Sequence, residues 1–315
     1  MLKRKAGALV AVLLLVVGFL EVASRVWLGL GDPPISIPDT EIDYIFAPNQ
    51  NCSRFGNKIL YNNLSMRCGF SISERETTNR VFVVGDSVVN GGVLTDHADL
   101  ATTLLQDAFP QAQICNVSAG SWGPGNYTAY FRKHLNLIGS NDVLFVEVNS
   151  HDLWEDNPAR TAGANVGRDV SLPDRKPLFA FSEGFSRYFI PQVRRWLGLA
   201  AINTKVDVAK WDSDAENEAA NWNLRELAWL FSRQFRGKAL IIHRSRDESR
   251  RSNEQSIGEI RFVKWAKESN VRCVLLELDP EIHYRDGIHL NETGQYKLFE
   301  LLKKELCSQL CQQEM

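Results

Sequence analysis

Residues 81–87 read VFVVGDS, and the fold follows from how that stretch is taken. Three valines and a phenylalanine run without a polar break into Gly85, Asp86 and Ser87. An unbroken apolar run of this kind predicts a strand buried on both faces, the habit of parallel sheets. Gly85 permits a tight turn at its carboxyl end, and Asp86 is suited to hold that turn by accepting from nearby backbone amides. In open α/β sheets ligands bind outside the carboxyl ends of the strands, so Ser87 stands where chemistry is expected.

Strand and helix patterns alternate outward from this point. Residues 100–109 read as a helix, 112–117 as a strand and 127–138 as an amphipathic helix. Residues 142–149 (DVLFVEVN) form a second buried strand. Helix then strand recur at 221–235 and 239–243, and again at 257–268 and 271–278, before a closing helix at 293–307. Five strands separated by helices predict an α/β fold, a flavodoxin-like three-layer α/β/α sandwich on a five-stranded parallel sheet. The domain spans 80–315, with an insertion at about 155–220 that breaks the rhythm. The insertion carries an aromatic, basic patch of Phe185, Tyr188, Phe189, Arg194, Arg195 and Trp196. So long an irregular segment suits a lid or binding loop, or a surface elaboration.

Ahead of the domain, residues 31–79 hold Pro33, Pro34, Pro38 and Pro48 and many asparagines, and read as a membrane-proximal linker passing into an extended segment that packs on the main domain. Residues 1–30 are different. Lys3, Arg4 and Lys5 precede an apolar run at 6–20, which Glu21 interrupts and Val22, Val26, Trp27 and Leu28 resume. The strict run is shorter than the ~20 residues of a membrane span, and the continuation to Leu30 makes up the length. Basic residues before the run favour a cytoplasmic N-terminus. No A-x-A site follows it, so the expectation is a single uncleaved anchor in the lipid bilayer, with a periplasmic or extracellular domain. A cleaved signal segment is the alternative.

Composition narrows the classes. A hydrophobic share of 44% and a charged share of 23% are those of a globular chain with a core. A formal charge of −2 gives no support for a nucleic-acid partner. Of six cysteines, Cys52 and Cys68 flank a polar segment and could pair in an oxidising compartment, and Cys307 and Cys311 lie one helical turn apart. Cys115 and Cys273 fall in apolar runs and read as buried thiols. Neither a metal-ligand cluster nor a nucleotide-binding glycine loop is present, so no metal and no cofactor is expected.

A serine hydroxyl needs a base to take its proton and a group to orient that base. The candidates are in Asp286-Gly287-Ile288-His289-Leu290. At this spacing the Asp286 carboxylate can accept the His289 Nδ1–H and leave Nε2 facing Ser87. Four elements together, VFVVGDS, a following strand with a Ser/Gly-rich turn, a strand ending in N-x-H-D and a late DGIHL, resemble the SGNH (GDSL-type) hydrolase superfamily, in the form of a membrane-anchored bacterial member. The resemblance runs from about residue 80 to 306, with the insertion outside it.

It implies Ser87 as nucleophile, His289 as base and Asp286 as its orienter. It also implies an oxyanion hole made of the Ser87 N–H, a glycine N–H in the second block and an asparagine side chain in the third. Both middle blocks depart from the pattern. In Asn116-Val117-Ser118-Ala119-Gly120-Ser121-Trp122 the glycine position holds Ser121, after Gly120; its backbone N–H can still donate. In Asn149-Ser150-His151-Asp152 the asparagine position holds His151, whose imidazole N–H can also donate. Asn149 turning inward is the alternative donor. Trp122, with Asp152 and Trp154, is expected around the substrate, Trp154 being equally suited to the core. The resemblance and the compartment imply an exported serine esterase for O-acyl, above all O-acetyl, groups of a cell-envelope or extracellular polysaccharide, its substrate an acylated carbohydrate or small ester. An O-acyltransferase on the same site and a non-catalytic glycan-binding scaffold are the alternatives.

Overall fold

The computed structural model describes residues 2–73, 79–155, 157–169, 171–197, 214–251 and 254–311. A 27-residue helix, α1 (Leu2–Leu28), leads into two antiparallel hairpins. β1 (Ser36–Asp39) pairs with β2 (Asp43–Phe46), and β3 (Gln50–Arg54) with β4 (Asn57–Tyr61). These hairpins replace the linker expected from the sequence. In the second, Phe55 and Gly56 form a two-residue loop with φ of 53° and 85°. Positive φ at both positions is what a type I′ hairpin turn demands, and it is normally announced by Asn-Gly.

The α/β domain follows: β5 (Arg80–Gly85), α2 (Ser87–Asn90), α3 (Ala101–Ala108), β6 (Gln113–Ser118), α4 (Pro124–Lys133) and β7 (Val143–Asn149). The insertion contributes α5 (Pro158–Thr161), α6 (Ala180–Glu183), a π-helical turn (Gly184–Phe189) and α7 (Ile190–Trp196). Then come α8 (Asp214–Phe231), β8 (Gly237–His243), α9 (Arg246–Arg250), α10 (Ile257–Glu268), β9 (Arg272–Leu275) and α11 (Glu292–Cys311). The expected helix at 127–138 starts earlier, at Pro124, whose ring suits a first helical turn, and ends at Lys133. The strand expected at 271–278 is only four residues long.

All five domain strands are parallel, in the order β6-β5-β7-β8-β9. This is the flavodoxin-like order, and the sheet's direction of growth reverses at β5. Both faces are covered, which is why the strands lack polar alternation. Phe82, Val84, Leu144 and Val146 pack under α4, α8 and α10 with Phe131, Leu227 and Phe262. Val81, Val83, Phe145 and Ile241 pack on the other face against Val88, Leu105, Leu298 and Leu302 from α2, α3 and α11. Each such fully buried side chain contributes roughly 1.5–3 kcal/mol.

The cysteine pairing does not form. Cys52 and Cys68 are buried free thiols, as is Cys115, and Cys307 is also free. The Cys68 sulfur accepts from Asn62 Nδ2 at 3.1 Å, and burial pushes its thiol up to about 12. At the other end of the chain, residues 5–28 of α1 contain an 18-residue window of mean hydropathy 2.5 and are long and apolar enough to cross a membrane.

Candidate active site

The strand β5 ends at Gly85, where a Cβ would lie 2.4 Å from Val89 Cγ2 and 2.7 Å from Glu147 Oε2. Only glycine fits, and the chain turns at once into α2. Asp86 caps that helix, its Oδ1 accepting from the Val88 N–H at 2.7 Å. Ser87 is thereby the first helical residue, with its hydroxyl at the sheet's carboxyl edge.

His289 reaches it from the loop before α11. His289 Nε2 lies 3.0 Å from Ser87 Oγ, and His289 Nδ1 lies 2.8 Å from Asp286 Oδ2. The local fold explains the pairing. Asp286 Oδ1 accepts from the backbone N–H of Ile288 at 3.0 Å and of His289 at 2.9 Å, which curls the loop over Gly287 and turns Oδ2 onto the ring. Burial would raise the Asp286 carboxyl, but those two amides and the imidazole outweigh it and hold the group below the usual carboxylate range. Chemically, the line Asp286–His289–Ser87 can take the hydroxyl proton to Nε2 while the carboxylate steadies the ring that becomes charged.

Ser121 has φ 55°, in the left-handed region. Glycine enters that region freely and other residues do so at a cost, so the turn keeps the geometry for which glycine is expected. The Tyr44 hydroxyl donates to the Gly120 carbonyl at 2.7 Å, so β2 braces this turn. Among the described residues, no other protein group accepts from the backbone N–H of Ser87 or of Ser121. Both residues line one cleft of about 320 Å³. Tyr44, Phe46 and Tyr61 from the hairpins and Asn165, Asp169 and Arg187 from the insertion wall it on the other sides. A second depression, about 350 Å³, lies at the opposite sheet edge around Arg236, Lys238 and Arg272, away from Ser87.

The third block is committed inward. The Asn149 amide donates to Asp86 Oδ2 at 3.2 Å and to Asp152 Oδ1 at 2.9 Å, and its carbonyl accepts from the His151 N–H at 2.8 Å. Both of its amide hydrogens are therefore engaged, which removes it as an oxyanion donor. His151 stands at the N-cap position of the short turn Asp152–Trp154 without a side-chain capping bond, is half-buried, and is not among the residues that line the cleft. Asp152 is buried and holds Asn149, so it does not line the cleft. Neither tryptophan does so either. Trp122 is buried and donates through Nε1 to the Tyr44 carbonyl at 3.2 Å, and Trp154 packs on the core beneath Gly258.

No family model and no curated protein matches the sequence. Solved structures of similar chain path include a lipolytic protein of the G-D-S-L family from Veillonella parvula. It is 10% identical, over 72% of this chain and 97% of that one, with a TM-score of 0.41. An acetyl xylan esterase from Geobacillus stearothermophilus is 15% identical over 74% and 96% of the two chains, at 0.42. A psychrotrophic esterase from Pseudoalteromonas is 12% identical over 74% and 98%, at 0.41.

Beneath Ser87 lies a feature that the motif reading missed. Glu147 on β7 and His243 on β8 are both fully buried, with Nδ1 3.6 Å from Oε1. Burial, then the charges of Asp86 and Asp152, push the Glu147 carboxyl well up; burial pushes His243 down to about 3. Both shifts favour the uncharged forms of the two groups. Burial likewise lifts Asp86 to about 6, against the lowering effect of the Val88 amide and of His289. The signal was the single glutamate inside DVLFVEVN, since an acid in an unbroken apolar strand is rarely buried without a task.

Proposed function

We propose that the chain is a serine ester hydrolase, anchored by α1 with its α/β domain on the periplasmic or extracellular side, that removes O-acyl groups, acetyl foremost, from a carbohydrate of the cell envelope or its surroundings. The observation that carries this reading is the unbroken hydrogen-bonded line from Asp286 through His289 to Ser87, opening beside two backbone N–H groups without protein acceptors. Ser87 Oγ attacks the ester carbonyl as His289 Nε2 takes its proton. The Ser87 and Ser121 amides receive the oxyanion. His289 then protonates the leaving sugar hydroxyl, and water, deprotonated by the same imidazole, releases the acid and frees Ser87.

The cleft supports a carbohydrate ester over a lipid one. Asp43, Asn165, Asp169 and Ser171 offer hydrogen-bonding groups beside the partly exposed Phe46 ring, a mixed lining suited to sugar hydroxyls and a ring face. The insertion also walls this cleft, and exclusion of water by it would favour the other reading, acyl transfer to a second sugar. Faster delivery of acetyl to an oligosaccharide than to water would establish the transferase.

The test of the nucleophile is labelling by a fluorophosphonate, expected in the native chain and lost in Ser87→Ala and His289→Ala. Labelling that survives in Ser87→Ala, or never occurs, removes the reading and leaves a glycan-binding scaffold. His151 is the proposed third oxyanion donor. His151→Ala should lower kcat by about 10²-fold with KM nearly unchanged. An unaltered kcat would leave the two amides to do the work alone.

A further inference from the structure

Glu21 and Arg25 break the apolar surface of α1, and the insertion bonds to both. Arg25 bridges Glu21 at 2.6 Å and donates to the Leu178 carbonyl at 3.3 Å, while the Phe181 N–H donates to Glu21 Oε2 at 3.2 Å. A second tie lies just beyond α1, where the Gly31 N–H and the buried Arg54 guanidinium both bond to the Glu183 carboxylate, at 2.6 Å and 2.6 Å. The segment around α6 is thus fixed against the last turns of α1. The other side of those turns, Val22, Val26 and Trp27, is left exposed.

Length sets the depth at which this happens. The apolar run at 6–20 rises ~22 Å at ~1.5 Å per residue, short of a ~30 Å hydrocarbon core. The turns at 22–28 must complete the span, so the insertion bonded to Glu21 and Arg25 meets the bilayer at its boundary. Its own outward side chains suit that position. Leu178 is 81% and Trp196 85% exposed, and Phe179, Phe185, Phe189 and Leu197 are each about half exposed. Phe185 and Phe189 stack at 5.2 Å into one ridge. Residues 178–197 hold three basic residues, Arg187, Arg194 and Arg195, and one acid, Glu183, which Arg54 already neutralises. Aromatic and aliphatic tips among cationic side chains are the chemistry of an interfacial element on anionic lipid.

We propose that residues 178–197 are a membrane-docking surface, seated in the headgroup layer of the leaflet from which α1 emerges. The inference rests on α1 being retained as an anchor and goes beyond the hydrolase reading. Arg187 of the same segment lines the cleft that holds Ser87, so seating keeps the cleft beside the bilayer and directs the site to substrates attached at or near it.

The experiment uses the full chain with Cys307→Ser and Cys311→Ser, reconstituted in vesicles of phosphatidylcholine and phosphatidylglycerol. An environment-sensitive fluorophore is placed at Phe189→Cys, at Leu13→Cys within α1 or at Lys264→Cys on α10, and quenched by lipids spin-labelled near the headgroup or deep in the chain. An element seated about 5–10 Å into the interface loses roughly half its emission to the shallow quencher and much less to the deep one. Leu13→Cys should respond to the deep quencher and Lys264→Cys to neither. Quenching at Leu13→Cys with none at Phe189→Cys refutes the docking surface while keeping the anchor. No quenching at either position refutes both, and quenching at Phe189→Cys alone removes the anchor and with it the depth argument, which overturns the proposal. Cross-linking between two Phe189→Cys chains without lipid quenching assigns this face to a second copy and overturns the proposal.

Discussion

Replacing Ser121 by glycine should stabilise the protein and leave turnover intact. At φ 55° a non-glycine residue bears roughly 1–2 kcal/mol of local strain. Glycine removes that strain but frees the unfolded chain by about 0.4–1 kcal/mol. Ser121 is exposed, so no buried contact is lost with its side chain. The balance runs from about zero to about 1.6 kcal/mol, centred on about 0.8 kcal/mol. At about 2–4 °C per kcal/mol for large domains, Tm should rise by roughly 1–3 °C. The assay is thermal unfolding beside hydrolysis of an aryl acetate, with Ser121→Val as the opposite perturbation. Valine puts a β-branched side chain at the same φ and should lower both Tm and kcat. A Tm that falls in Ser121→Gly would refute the strain argument. A rise in Tm with a tenfold or larger loss of kcat would show that the hydroxyl, and not the amide, serves the reaction.

Tyr44→Phe removes the bond to the Gly120 carbonyl; the expected cost is about 1–3 kcal/mol, read by urea unfolding, with kcat falling more than KM changes. An unaltered kcat would mean that β2 does not position the second block. Glu183→Ala strands the buried Arg54 guanidinium and should cost about 3–5 kcal/mol; a midpoint within error of the native chain would contradict that. Asp86 yields a pH prediction. Its folded value of about 6 lies above the ordinary 3.8, so the folded chain holds this proton more tightly. The stability so gained is whole below the unfolded value and is lost as pH rises through the folded one. Asp86→Asn should flatten the decline between the two, and unfolding midpoints that fall equally steeply in both chains would refute the assignment.

The parallel strands and the Ser87, Asp286 and His289 line were legible because each has a local signature. Runs of β-branched residues need both faces covered, and Asp-Gly-Ile-His folds back on itself within four residues. The hairpins at 36–61 were not legible. Their strands are four or five residues long, one contains Pro38, and a Phe-Gly loop replaces the usual turn signal. Side-chain commitments were hidden for a different reason. Whether Asn149 faces an oxyanion or two carboxylates depends on Asp86, sixty-three residues away in sequence, and no spacing rule expresses that. Trp122 was misread as a cleft wall because its partner, the Tyr44 carbonyl, belongs to a segment that read as linker.

The brace that β2 supplies also bears on proteolytic shedding. Many anchored ectodomains are released by a cut in the stretch after the membrane helix, because that stretch touches nothing. Here the same stretch carries Tyr44 against Gly120, the Ile42 carbonyl that accepts from Asn126, and Arg67, whose guanidinium donates to the backbone carbonyls of Asn90 and Thr95. In a chain anchored by α1 as proposed, a sheddase cutting between residues 31 and 73 would leave a nicked domain still held by its hairpins, or one with a slackened cleft. A cut before Gly29 would leave the site whole, with the domain still tied to α1 through Glu21 and Arg25.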